Sequence, residues 1–153
     1  MHSKNAFESD RVIGYSLLRA TLGINIFLHG VSRVLAGTGN FAASLVVMFH
    51  ATLLPSVLVR AFGYALPWME ATVGLLVLLG LWTRYALAGG ALLIFVLTFG
   101  STLRQDWETA GLQLTYALIF SALLAFRQWN TLSFDVLQIC LRDRVIRTKA
   151  LSP

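Results

Sequence analysis

The chain has 153 residues, 57% of them hydrophobic and only 12% charged, with a mean hydropathy of +0.72; a water-soluble domain carries about twice that share of charge, so a soluble fold is all but excluded. Twelve Lys and Arg against seven Asp and Glu leave a net charge of +5, and a basic chain this apolar points to anionic lipid rather than nucleic acid. The single cysteine, Cys140, excludes an internal disulfide and dithiol chemistry within the chain.

A helix crossing about 30 Å of hydrocarbon needs about 20 mostly apolar residues. Four such windows are bounded by charges or turn residues: Val12 to Ala36, Phe62 to Trp82, Tyr85 to Leu103 and Thr109 to Phe126. Their apolar residues run on without alternation, which predicts helices rather than barrel strands. Span one carries Arg19 and is preceded by Glu8 and Asp10, so it reads as a retained helix rather than a cleaved leader. Between spans one and two, the apolar stretch from Phe41 to Leu54 is too short to cross and too apolar for a loop. It is expected to form an interfacial or re-entrant helix ended by Pro55. Only Thr83 and Arg84 separate spans two and three, which makes them an antiparallel hairpin, and Arg104 to Glu108 joins spans three and four. After span four, Leu132, Val136, Leu137, Ile139, Cys140 and Leu141 form an apolar stripe at helical spacing, followed by Arg142, Arg144, Arg147 and Lys149. That is the pattern of an amphipathic tail lying on anionic headgroups.

The expected fold is therefore all-α: an integral membrane four-helix bundle over residues 1–130, with an interfacial helix between spans one and two, and a cytoplasmic amphipathic basic tail over 131–153. Eight basic residues near span ends (Lys4, Arg11, Arg84, Arg127, Arg142, Arg144, Arg147, Lys149) fall on one side, and Arg33, Arg60 and Arg104 on the other. This bias places both termini in the cytoplasm, in a bacterial-type inner (plasma) membrane. Trp82 and Trp129 then sit at the inner interface and Trp107 at the outer one.

Ionisable groups inside a span need a partner or a task. Arg19 and His29 on span one and Glu70 on span two are the three that stand out. At about 1.5 Å per residue, His29 is expected roughly 6 Å outward of Glu70 and Arg19 roughly 9 Å inward, within reach of a long side chain. Arg19 and Glu70 are accordingly expected to pair, either as a structural bridge or with Glu70 as a proton-handling carboxylate tuned by Arg19. Asn25, His29 and Arg33 share one face of span one, Arg19, Gly23 and Gly30 an adjacent one, and both are expected to face the bundle. Gly23, Gly30, Gly74, Gly89 and Gly90 would let backbones approach closely. Haem ligation by His29 and His50 is disfavoured because His50 lies on the interfacial segment, and no metal site is expected.

The order Arg19-x3-Gly23-x3-Phe27-Leu28-His29-Gly30-x2-Arg33, then Leu66-Pro67-x2-Glu70-x3-Gly74-x5-Gly80-x3-Arg84, with Trp107 and Ser133-Phe134-Asp135 further on, resembles the DoxX-like family of small four-helix membrane proteins. Arg33 departs from that pattern, in which a Lys is commoner. The resemblance implies a bundle related to the DoxD subunit of thiosulfate:quinone oxidoreductase and a role in quinone, thiol or sulfur redox chemistry. Arg19, His29, Arg33, Glu70 and Arg84 would be its motif positions.

Three functions are compatible with these residues. In the first, the protein is a membrane component of a quinone-linked or thiol/sulfur redox system, possessing a quinone site. His29 would hold a carbonyl, Glu70 pass protons and Arg19 tune Glu70 as the catalytic set, with Asn25, Arg33, Trp68 and Gln113 lining the cofactor. Because nothing in the chain carries electrons, a partner oxidoreductase subunit or a bound cofactor would have to supply them. In the second, the same residues line the path of a small-molecule or ion transporter. In the third, they only hold together a scaffold for a partner oxidoreductase.

Overall fold

The computed structural model describes the backbone of residues 2–151 and the side chains of residues 7–142 and 144. Lys4, Arg147 and Lys149, counted above for orientation and tail charge, have side chains outside the described residues. Six helices follow in order: α1 (His2–Leu35), α2 (Thr38–Met48), α3 (Ser56–Leu79), α4 (Thr83–Leu103), α5 (Trp107–Ala125) and α6 (Phe134–Leu151), with one 3-10 turn at Arg127–Trp129 between the last two. No strand occurs among the described residues. Four segments are long and apolar enough to cross a membrane: Phe7–Leu35, Ser56–Leu79, Thr83–Leu103 and Trp107–Ala125. They carry large apolar side chains outward, including Leu92, Phe95 and Leu118, as helices that face hydrocarbon must.

The tightest contact is between α1 and α3, where small residues let the backbones meet. A Cβ on Gly23 would fall 2.5 Å from the Leu78 nitrogen, one on Gly30 would collide with the Ala71 and Pro67 backbone, and one on Gly74 with the backbone of Phe27. Dispersion between closely approached backbones is the main attraction available where lipid competes for apolar surface. Gly90 serves α4 and α5 differently, as the seat for the fully buried Phe120 ring. Gly89, expected to help close packing, has nothing within 4 Å of a Cβ.

Several boundaries differ from expectation: Thr83 and Arg84 open α4 rather than separating spans two and three, and Trp107 and Glu108 already belong to α5. The short helix ends at Met48, not at Pro55, and residues 49–54 turn back on hydrogen bonds such as Thr52 N–H to the Phe49 carbonyl, 2.9 Å. Pro55 instead precedes the first turn of α3, where a missing N–H leaves no helical bond unmade. Arg60 is exposed within α3 rather than marking its start. α2 packs on the N-terminal half of α3 through the fully buried Ala42, set against Gly63.

Candidate functional site

Two polar clusters sit at different depths between α1 and α3, and the expected Arg19–Glu70 pair is not formed. Arg19 is buried at the last turn of α3. Its Nη1 donates to the carbonyls of Val77 at 2.7 Å and Leu78 at 2.8 Å, and its Nη2 to that of Leu132 at 2.8 Å. The Val77 and Leu78 carbonyls lie in the last turn of α3, where the negative end of the helix dipole favours a cation. Axial reach alone could not separate a carboxylate on α3 from the carbonyls at its end.

Around Arg19 the α3–α4 connection is pinned. Gly80 turns left-handed (φ 66°) with Arg19 and Ser133 so close that a Cβ has no room. Trp82 follows with φ 46°, a conformation unusual for a bulky residue. The Asp135 carboxylate holds it there, accepting from Trp82 N–H at 2.7 Å and Thr83 N–H at 2.8 Å and so capping α4. Asn130 donates to the Thr83 hydroxyl at 3.0 Å. The roles of Thr83, Asn130 and Asp135 escaped the sequence reading, in which Ser133-Phe134-Asp135 entered only as part of a family pattern.

Glu70 is buried and takes its cation from Arg33, both carboxylate oxygens accepting from the Arg33 Nη1. The Arg33 guanidinium in turn lies 4.7 Å over the Phe41 ring of α2, so the short helix covers the pair from outside. Beside Glu70 is an internal cavity of about 10 Å³, walled by Ile26, Val73, Leu93, Ile94 and Phe120. That is room for about one water, far below the several hundred Å³ of a ligand pocket.

His29 lies elsewhere. Because Gly30 abuts Ala71 and Pro67, His29 stands at the depth of Glu70 rather than outward of it. Its side chain is exposed, as is that of Asn25, so this face of α1 does not look into the bundle as expected. The His29 Nδ1–H donates to the Asn25 carbonyl at 3.0 Å, and Nε2 has no hydrogen-bond partner among the described residues. Tyr116, the middle residue of α5, donates its hydroxyl to Asn25 Oδ1 at 3.0 Å. Gln113 is one turn outward of Tyr116 on the same helix face, and its Oε1 is buried without a hydrogen-bond partner. Asn25 and His29 on α1 and Tyr116 and Gln113 on α5 thus form a polar strip along the α1–α5 seam, joined by the Asn25–Tyr116 bond, in which Asn25 and His29 are exposed and the Gln113 Oε1 is turned inward. Trp68 is 58% exposed on α3, two residues and about 200° around the helix from Glu70, and does not join either cluster.

Among the described residues no group of three or more His, Cys, Asp or Glu is placed to hold a metal ion. Neither the curated proteins nor the solved structures return a match to this chain. A family model does: that of methylamine utilisation protein MauE matches residues 11–111, about two-thirds of the chain, from the start of span one into α5. This overturns the DoxX-like resemblance, since MauE is a different membrane family and no DoxX match accompanies it. The residues that carried the resemblance have structural tasks that any tightly packed, capped helix pair sets: Gly23, Gly30 and Gly74 for backbone approach, Arg19 and Gly80 for ending a helix. The chain is a membrane protein belonging to the MauE family.

Proposed function

We propose that this protein serves methylamine utilisation as the membrane partner of a redox system, docking another membrane-anchored protein along the Asn25–His29–Tyr116–Gln113 strip rather than carrying electrons itself. The observation that carries this reading is the exposure of Asn25 and His29 well inside the first membrane-spanning segment. Polar side chains within a span ordinarily face the bundle interior. Here the interior charges have partners, Arg19 on three carbonyls and Glu70 on Arg33, while the Nδ2 of Asn25 and Nε2 of His29 have none among the described residues. A partner helix offering hydrogen-bonding side chains would satisfy them, each such bond contributing about 0.6–2 kcal/mol in lipid.

Other features favour the same reading. One cysteine cannot cycle between dithiol and disulfide within the chain, so redox change would reside in the partner. The cavity of about 10 Å³ beside Glu70 offers neither a quinone pocket nor a transport path. The test is growth of the native host on methylamine as sole nitrogen source, with Asn25→Leu/His29→Leu replacing the wild-type protein. Loss of growth with undiminished chain in the membrane is the expected result; wild-type growth would remove the strip from function.

A further inference from the structure

At the opposite end of the bundle from the Arg33–Glu70 pair, α1 and α5 part to leave a cleft of about 150 Å³. Gly14, Leu18, Leu123 and Phe126 line it with apolar surface, and Arg11 and Trp129 stand at its mouth. The Tyr15 hydroxyl, donating to the Leu123 carbonyl at 3.1 Å, bridges the two helices beside it. A Cβ on Gly14 would meet nothing within 4 Å, so the helix wall is thinned where the cleft opens. An apolar cavity of this size takes a benzene-sized group, which is to say a few methylenes of a longer molecule.

The mouth is cationic and prepared for an anion. The Arg11 guanidinium lies 4.1 Å over the Phe7 ring and 5.1 Å from the Trp129 ring, and Trp129 is stacked on Phe126 at 5.1 Å. Aromatic faces fix its plane and leave its N–H edge free: Arg11 donates no hydrogen bond to a described residue. Arg127, next in the chain to Phe126, is exposed and opens the 3-10 turn that carries Trp129 to the mouth. Glu8 and Asp10 precede Arg11 on the same helix without pairing with it, and both oxygens of Asp135 are engaged by Trp82 and Thr83. Two planar cations beside an apolar slot match a phosphate that continues into hydrocarbon.

We infer that this cleft binds one anionic phospholipid, an acyl chain against Gly14 and Leu123 and its phosphate on Arg11 and Arg127. The site would hold α1 and α5 together where few side chains do so. The inference is independent of the docking strip, which lies a full helical half-span away.

The test uses the full-length protein, delipidated in detergent, with thermal unfolding and native mass spectrometry as readouts. Phosphatidylglycerol should raise the unfolding midpoint by several degrees and leave one lipid bound, whereas phosphatidylcholine should do so weakly and inorganic phosphate not at all. Gly14→Leu fills the slot with a good helix former, and Arg11→Gln/Arg127→Gln removes the cations. Each should lose the phosphatidylglycerol increment, with retention at least about tenfold weaker, and without a lower midpoint in lipid-free detergent. Equal increments from the two lipids, the same increment from phosphate alone, or an unchanged phosphatidylglycerol increment in the arginine variant would each overturn the assignment.

Discussion

Replacing Arg19 by Met and Glu70 by Gln, singly and together, separates a helix cap from an ion pair. Arg19→Met removes three charge-assisted bonds to the carbonyls of Val77, Leu78 and Leu132. Each contributes about 1.5–3 kcal/mol. Removing a buried guanidinium whose Nε has no partner offsets part of that, for a net loss of about 2–4 kcal/mol. Glu70→Gln breaks the bridge to Arg33, whose side chain is 31% exposed and can turn to water, for about 1–2 kcal/mol. On α3, Glu70 and the carbonyls held by Arg19 are seven or eight residues apart, about 10–12 Å of helix rise. The two losses should therefore add within about 0.5 kcal/mol, whereas Arg33→Met with Glu70→Gln should couple by about 1 kcal/mol or more. Reversible unfolding in mixed micelles, followed by helix content, measures both cycles. Coupling above about 1 kcal/mol between positions 19 and 70, or simple additivity between 33 and 70, would refute this assignment of partners.

Other perturbations test single contacts. Gly74→Ala drives a Cβ into the Phe27 backbone and should destabilise by about 1–3 kcal/mol, while Gly89→Ala, with open space around it, should be neutral or stabilise by up to about 1 kcal/mol; equal thermal midpoints for the two would contradict the helix contact. Asp135→Ala should cost about 1–2 kcal/mol by uncapping α4 and, by releasing the left-handed Trp82, increase proteolysis between spans two and three. In the α4–α5 connection, the backbone N–H of Thr109, then its side chain, with Arg104 adding less, hold the Asp106 carboxyl below the usual carboxylate range. Its contribution is thus present above the ordinary carboxylate pKa and lost as pH falls through the lowered folded value. Asp106→Asn should flatten the acid side of a midpoint-against-pH curve, and an unchanged slope would place that acid sensitivity elsewhere. A reporter fused after Pro153 should be cytoplasmic and one inserted near Gly39 external, as the eight-to-three basic bias requires.

Span number and type were readable because apolar run length alone decides whether a helix can cross a bilayer, and the shortness of the link between spans two and three left no other path, although its turn is Gly80–Trp82 and not Thr83 and Arg84. The short helix was readable for the complementary reason, that its apolar stretch is too brief to cross. Its end was misplaced because Pro55 looks alike whether it ends one helix or precedes another, and Arg60 looked like a boundary although one exposed arginine is tolerated inside α3. Gly23, Gly30 and Gly74 were legible as points of close approach, but Leu78, whose backbone lies against Gly23, carries no such mark in the sequence. The partners of Arg19 and Glu70 were hidden because helical rise gives depth, not which of two acceptors a flexible arginine meets. Family assignment failed on the same ground, since glycines and arginines in that order report packing and capping.

The central claim is that the Asn25–His29 face of α1 meets a partner protein in the membrane. A photo-crosslinking residue at position 29, irradiated in native membranes of cells growing on methylamine, tests it most directly when paired with one at Leu92, which is 63% exposed on α4. The account predicts one protein adduct of defined mass from position 29, absent from position 92 and absent when the methylamine system is not expressed. Lipid adducts alone from both positions would contradict it.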